Sequence, residues 1–93
     1  MTIVEIKNRI KPVLIKYKIE KAGIFGSYAR NMADESSDVD ILVKTGNSMS
    51  LLQFSALKIA LEDSLQKKVD LVEYDSIKPR MKEKILQEEL SVI

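Results

Sequence analysis

Residues 22–43 constrain the fold of this chain more than any other stretch. Two short apolar runs, 22–25 and 41–43, are separated by a Gly26-Ser27 turn and a polar segment. Short apolar runs bounded by turn residues are typical of strands in a buried sheet. The stretch therefore predicts a strand, a tight turn with a short helix, a polar loop and a second strand.

Paired carboxylates mark the start of the second strand. Asp38 and Asp40 are two residues apart, and strand residues at this spacing project from the same face. Carboxylates that face together repel each other unless a cation or a proton compensates, and magnesium held by one or two carboxylates plus substrate phosphates is such a cation. The alternative is a pair of solvated aspartates. An EF-hand is excluded because its Gly, Glu and further Asp or Asn positions are missing.

The Gly26-Ser27 turn is a candidate phosphate contact. A turn that exposes N–H groups at the start of a helix favours phosphate, and a glycine there allows close approach. An ordinary strand-to-helix turn with a serine cap is the alternative. Arg30 lies one turn further on and either contacts phosphate or pairs with Asp34 or Glu35.

Asp70 is the third acidic candidate. It lies in a predicted strand between apolar residues, where an unpaired buried charge is costly, so a functional role is favoured over a surface one. Three carboxylates on adjacent strands match the two-metal chemistry of nucleotidyl transfer, with Asp38, Asp40 and Asp70 as metal ligands and catalytic groups. Asp70 would hold the acceptor-side metal or take the acceptor's proton.

Composition narrows the chemistry. The chain has neither His nor Cys, which excludes Ser-His catalysis, thiol nucleophiles, disulfides and imidazole or thiolate zinc sites. Any metal site is then built from oxygen, which favours magnesium, manganese or calcium. A net charge of +1 gives no basic excess for direct nucleic-acid binding. No apolar run approaches the roughly 20 residues of a membrane span and no signal peptide is evident, so we expect no membrane partner and a cytoplasmic location.

The remaining pattern predicts one α/β (α+β) domain over residues 1–93, with a small mixed sheet of three to four strands flanked by about four helices. The first helix begins at a Thr2–Glu5 capping box, and Pro12 should kink it or divide it in two. Residues 45–47 are predicted to form a turn. Asp75-Ser76 should cap the last helix, with Met81 on its inner face. The other predicted elements are strand 22–25, helix 27–32, strand 38–44, helix 50–66 with a Ser50 capping box, strand 69–74, a last helix ending near 89, and edge strand 91–93.

Three segments together resemble one protein family. They are GSYAR (26–30), SDVDILV (37–43) and VDLV (69–72), and the combination is similar to the minimal nucleotidyltransferases, MNT type, of the DNA polymerase β superfamily. The resemblance covers nearly the whole chain. It implies a nucleotidyltransferase fold with metal aspartates on the sheet, two magnesium ions and ATP, and a triphosphate contacted by Gly26 and Ser27. Many members have Gly after the motif arginine; Asn31 stands there instead and tolerates the same left-handed backbone.

The short chain leaves no room for an acceptor-binding domain, so a partner or a second copy should complete the site. Stand-alone proteins of this type resemble the antitoxin half of HEPN–MNT pairs, in which AMP passes from ATP to a tyrosine of the HEPN ribonuclease. The resemblance thus implies a protein adenylyltransferase with a HEPN-type toxin as partner in a hetero-oligomer. Three alternatives stay open: transfer to a small molecule such as an aminoglycoside, an antitoxin that masks its toxin by binding alone, and a small structural domain.

Overall fold

A computed structural model describes residues 1–46 and 49–93, so position 47 of the predicted turn lies outside the described residues. A 3-10 turn, Tyr74–Ser76, connects the third strand to the last helix. The helices and strands are, in chain order, α1 (Ile3–Lys16), β1 (Lys21–Phe25), α2 (Gly26–Ala29), β2 (Val39–Lys44), α3 (Leu51–Leu65), β3 (Val69–Glu73), α4 (Pro79–Glu88) and β4 (Leu90–Ser91).

The four strands form one mixed sheet of order β3-β2-β1-β4. β1 pairs antiparallel with both β2 and β4, whereas β2 and β3 run parallel. The strand bearing Asp40 is therefore an inner strand, and the strand bearing Asp70 is an edge strand. The predicted mixed sheet of three to four strands with about four helices is confirmed.

The two faces of the sheet have different surroundings. One face carries the main core, in which Val39, Ile41 and Val43 of β2 pack with the fully buried side chains of α1 and α3. Because strand side chains alternate, Asp40 and Leu42 project from the opposite face. There Leu42 packs in a smaller cluster with Tyr74 and Ile77. The carboxylates therefore lie on the face that has the lighter cover.

Local hydrogen bonding fixes the helix starts as predicted. The Thr2 side chain accepts a bond from the Glu5 N–H at 3.1 Å, and the Ser50 side chain accepts one from the Gln53 N–H at 3.1 Å. Both caps are full capping boxes, which satisfy N–H groups that a helix start leaves unpaired. Within the residues described, no helix is long and apolar enough to cross a membrane.

Several predicted details are wrong. Pro12 does not divide the first helix, because the fully buried Ile6, Ile10 and Leu14 hold both halves on one core. The predicted helix 27–32 is shorter and begins one residue earlier, as α2.

The last helix also differs from the prediction. Asp75 and Ser76 lie in the 3-10 turn, and Lys78 occupies the cap of α4 without a side-chain bond. Met81 is 47% exposed, because α4 lies against the thinly covered face and contains no fully buried residue.

Candidate functional site

The sheet register places two of the predicted carboxylates side by side. Asp40 of β2 and Asp70 of β3 are partners in the parallel pair, and Asp38 precedes β2 by one residue. Partners on neighbouring strands project from the same face, about 4.8 Å apart along the hydrogen-bonding direction. Asp38 and Asp70 are exposed, whereas Asp40 is half-buried. The expected burial of Asp70 is therefore wrong. The carboxylate whose charge is costly to bury is Asp40, on the inner strand.

The surroundings of Asp40 change its acidity. Burial raises its pKa to about 6, and the nearby Asp70 and Asp38 carboxylates raise it further; Arg30 opposes them, and Glu88 adds the smallest increase. The ionised group thus lies in a place that disfavours negative charge. A bound cation would offset both the desolvation and the repulsion, so oxygen donors of this kind fit a magnesium ion.

The raised pKa of Asp40 predicts a pH-dependent stability of the ligand-free protein. Between its ordinary value of 3.8 and about 6, the folded state binds more protons than the unfolded state, so stability falls as the pH rises through this window. Because Asp40 is only half-buried and solvent screens its interactions, we expect about 1 kcal/mol, well below the full conversion of the shift. Urea unfolding at about pH 5 and 7.5 measures it. The wild type should lose more stability than D40N over this range; equal losses would contradict the assignment.

The described residues contain no group of three or more carboxylates close enough to hold a metal by themselves. A site made by one or two aspartates plus substrate phosphates requires no such cluster, because magnesium usually keeps substrate or water oxygens as ligands. The arrangement therefore suits a metal that arrives with a phosphorylated substrate better than a permanently bound one.

Gly26 opens α2 directly against Asp40. Its backbone has φ +72°, and a Cβ added there would overlap the Asp40 carboxylate. Glycine is required twice at this position, once for the left-handed backbone and once for the close approach of the carboxylate. Ser27 follows it in the same turn and is half-buried. The predicted glycine-serine turn is thus adjacent to the predicted metal carboxylate.

Arg30 pairs with neither of the residues that its sequence position suggested. Its Nη1 lies 3.2 Å from both carboxylate oxygens of Glu88, on α4. Asp34 instead accepts bonds from Ser36 and Ser37, which lower its pKa. Asn31, next to Arg30, has φ +58°, so the left-handed turn expected there is confirmed.

Glu88 is the site residue that the sequence did not reveal. Its Oε1 accepts the Gly26 N–H at 3.1 Å as well as the Arg30 bond, and its side chain is only 16% exposed. Glu88 lies 58 residues after Arg30 and 62 after Gly26. No local pattern distinguishes it from a surface glutamate near a helix end.

The chain matches the family described as Polymerase beta, Nucleotidyltransferase over residues 8–93 and belongs to this family. The resemblance to nucleotidyltransferases and the predicted fold are thereby confirmed, and the chain is a nucleotidyltransferase by descent.

Two relatives and one solved structure are similar to this chain. A Methanocaldococcus jannaschii protein provisionally named protein adenylyltransferase MJ0435 is 50% identical over 93 residues, 100% of both chains. Protein adenylyltransferase MntA of Thermococcus cleftensis is 38% identical over 92 residues, 95% of this chain and 93% of that one. A solved structure of a tri-AMPylated Shewanella oneidensis HEPN toxin in complex with MNT antitoxin matches with a TM-score of 0.73 at 22% identity, over 95% of this chain and 69% of that chain. The last likeness establishes the fold alone.

Proposed function

We propose that this protein transfers AMP from magnesium-bound ATP to a hydroxyl group of a partner protein. The pairing of Asp40 with Asp70, directly beside the Gly26 turn, carries the proposal. Asp40 lies directly against the turn that would face the triphosphate, and Asp70 is its partner on the next strand, so these two carboxylates would hold the metal. Two relatives named as protein adenylyltransferases, at 50% and 38% identity, support AMP as the transferred group.

In this proposal Asp38 and Asp40 hold magnesium, and Asp70 holds a second ion or receives the proton of the attacking hydroxyl. When bound, magnesium neutralises the triphosphate, lowers the pKa of the attacking hydroxyl and stabilises the leaving pyrophosphate. Asp70 is suited to the acceptor side because it is exposed on an edge strand, where an incoming protein can approach it.

The triphosphate would lie against the Gly26-Ser27 turn. Gly26 provides room because it has no side chain, and the half-buried residue Ser27 provides a hydroxyl group. Arg30 adds positive charge at the rim, since its side chain is 44% exposed and bonds Glu88 through Nη1. Its other guanidinium N–H groups are the candidate contacts to phosphate.

The proposed acceptor is a tyrosine of a HEPN-type ribonuclease toxin, which this protein would silence as an antitoxin in a hetero-oligomer. The Shewanella oneidensis complex supports this partner, because it contains an AMPylated HEPN toxin together with an MNT antitoxin of the same fold. The partner would supply the acceptor half of a site whose donor half the present chain contains.

Labelled ATP tests the proposal. The protein is incubated with a HEPN-type partner, magnesium and ATP labelled on either the α- or the γ-phosphate. The α-label should appear on the partner with a mass increase equal to AMP, and a chelator should prevent it. Transfer of the γ-label, or a mass increase equal to phosphate, would overturn the mechanism.

Nucleotide binding is measured separately by thermal unfolding without the partner. A ligand that binds only the folded state stabilises it, by about 2.7 kcal/mol at 100 times its Kd. Magnesium-ATP should therefore raise the melting temperature, and no increase at saturating concentrations would count against the site.

A further inference from the structure

The Glu88 carboxylate joins two separate parts of the candidate site. Oε1 accepts the Gly26 N–H at 3.1 Å and the Arg30 Nη1 at 3.2 Å, and Oε2 lies 3.2 Å from the same Nη1. Because the acceptor is ionised, these are charge-assisted bonds, which are stronger than neutral ones. The Glu88 side chain is only 16% exposed, whereas its partner Arg30 is 44% exposed, so the pair lies at the edge of the site with its carboxylate turned inward.

The segment that follows Glu88 fixes its position. It is the last residue of α4, and the next residue, Glu89, bonds the hydroxyl of the buried Tyr74. The Glu89 side chain also lies against Gly23, so closely that a Cβ added at Gly23 would overlap it. β4 then pairs with β1, the strand that leads into the Gly26 turn. Glu88 is thus held at a fixed place relative to this turn.

We propose that Glu88 is a positioning residue for nucleotide binding: it holds the Gly26-Ser27 turn and Arg30 in the arrangement that receives the triphosphate. The inference rests on the proposed function, because it assigns Glu88 a role in the same site. Arg30 has no other carboxylate bonded to it among the described residues, so its direction depends on Glu88. Without Glu88, the Gly26 N–H would lack its acceptor and Arg30 would be free to rotate.

The charge balance supports positioning over competition with phosphate. Glu88 and Arg30 act on Asp40 in opposite directions, the first raising and the second lowering its pKa, so the pair adds little net charge beside the carboxylates. Removing Glu88 alone would leave the positive charge of Arg30 unneutralised, but the Arg30 side chain would no longer be held in one orientation. If position governs binding, affinity falls; if charge governs it, affinity rises.

The test compares E88A, E88Q and a matched control, E83A, for the binding of magnesium-AMP-PNP by calorimetry without any acceptor. Glu83 is an exposed glutamate of the same helix, and its bond comes from Gln87 of that helix. We expect E88A to bind roughly ten- to a hundredfold more weakly, the range found when a residue that orients a metal ligand is removed. E88Q should lose less, because its amide oxygen still accepts the Gly26 N–H, and E83A should equal the wild type.

Two measures distinguish a positioning role of Glu88 from a purely structural role in stability. Binding is measured at least 15 °C below the lowest melting temperature of the set, a margin chosen as roughly twice the 4–8 °C that 1 kcal/mol moves a domain of this size. The double variant R30A/E88A should also bind less weakly than the product of the two single losses predicts, because Glu88 acts partly through Arg30.

The outcomes are distinct. Wild-type affinity in E88A, or multiplicative losses in the double variant, would overturn the positioning role. Tighter binding by E88A would overturn it as well and would make Glu88 a competitor of the phosphates. If the wild type binds no nucleotide, the proposed function itself fails.

Discussion

Replacing Asp40 by asparagine is expected to abolish AMP transfer and at the same time to stabilise the ligand-free protein. The amide has the same shape but no charge, so the site loses an ionised metal ligand. We expect a loss of roughly a hundred- to a thousandfold, the usual cost of removing one group that stabilises the charge developing in a transition state. Stability at neutral pH should rise by about 1 kcal/mol, because the substitution removes a half-buried charge beside Asp38 and Asp70.

The stabilisation makes the D40N experiment decisive. A variant that melts a few degrees higher but does not transfer AMP cannot be inactive through misfolding. D63N is the control, because Asp63 is exposed on α3, on the other side of the sheet from the carboxylates. Transfer by D40N at a wild-type rate would remove Asp40 from the site.

The same type of variant distinguishes an enzyme from a masking protein. If D38N/D40N still neutralises a HEPN-type toxin in cells without adding AMP to it, binding alone would be sufficient. Under the proposed function the doubly substituted protein should fail to neutralise the toxin even where it still binds.

Replacing Gly26 by alanine is expected to cost both stability and activity, and Gly46 provides the matched comparison. Both glycines have a left-handed backbone, with φ +72° and +69°, but a Cβ at Gly46 meets nothing within 4 Å. G46A should therefore cost only the backbone strain, about 1–2 kcal/mol. G26A should cost about 1–3 kcal/mol more, because its methyl group displaces the Asp40 carboxylate. Urea unfolding measures both.

A double substitution measures how much of the cost of G26A comes from the overlap between its methyl group and the Asp40 carboxylate. In a D40A background the carboxylate is absent, so adding G26A should cost little more than G46A costs in the wild type. If G26A and G46A are equally destabilising in the wild type, the close approach of Asp40 to the turn is wrong. G26A should also lose AMP transfer, because its methyl group displaces the Asp40 carboxylate.

Local features of the fold were predictable because their causes lie within four residues. The Thr2–Glu5 and Ser50–Gln53 capping boxes, and the left-handed Asn31, depend on neighbouring groups alone. The effect of Asp38 on the pKa of Asp40 has an equally local cause, because the two residues are two positions apart.

Features that depend on strand order were not predictable. Asp70 has apolar neighbours in sequence, as a buried residue would, but it belongs to an edge strand and is exposed. Met81 has the spacing of an inner position, but helical spacing does not say how closely a helix approaches the sheet. Glu88 is bonded across about 60 residues, and only the assembled C-terminal segment brings it to Gly26 and Arg30.

The unequal cover of the two sheet faces has a consequence for how such a protein can diverge. The side chains that hold the domain together point towards α1 and α3, and the carboxylates point away from them. Substitutions around the carboxylates can therefore alter which protein is modified without removing core contacts. Substitutions of core residues would instead destabilise the domain, and so lower the amount of folded protein, before they altered which protein is modified. A domain of 93 residues can thus acquire new acceptors at little thermodynamic cost.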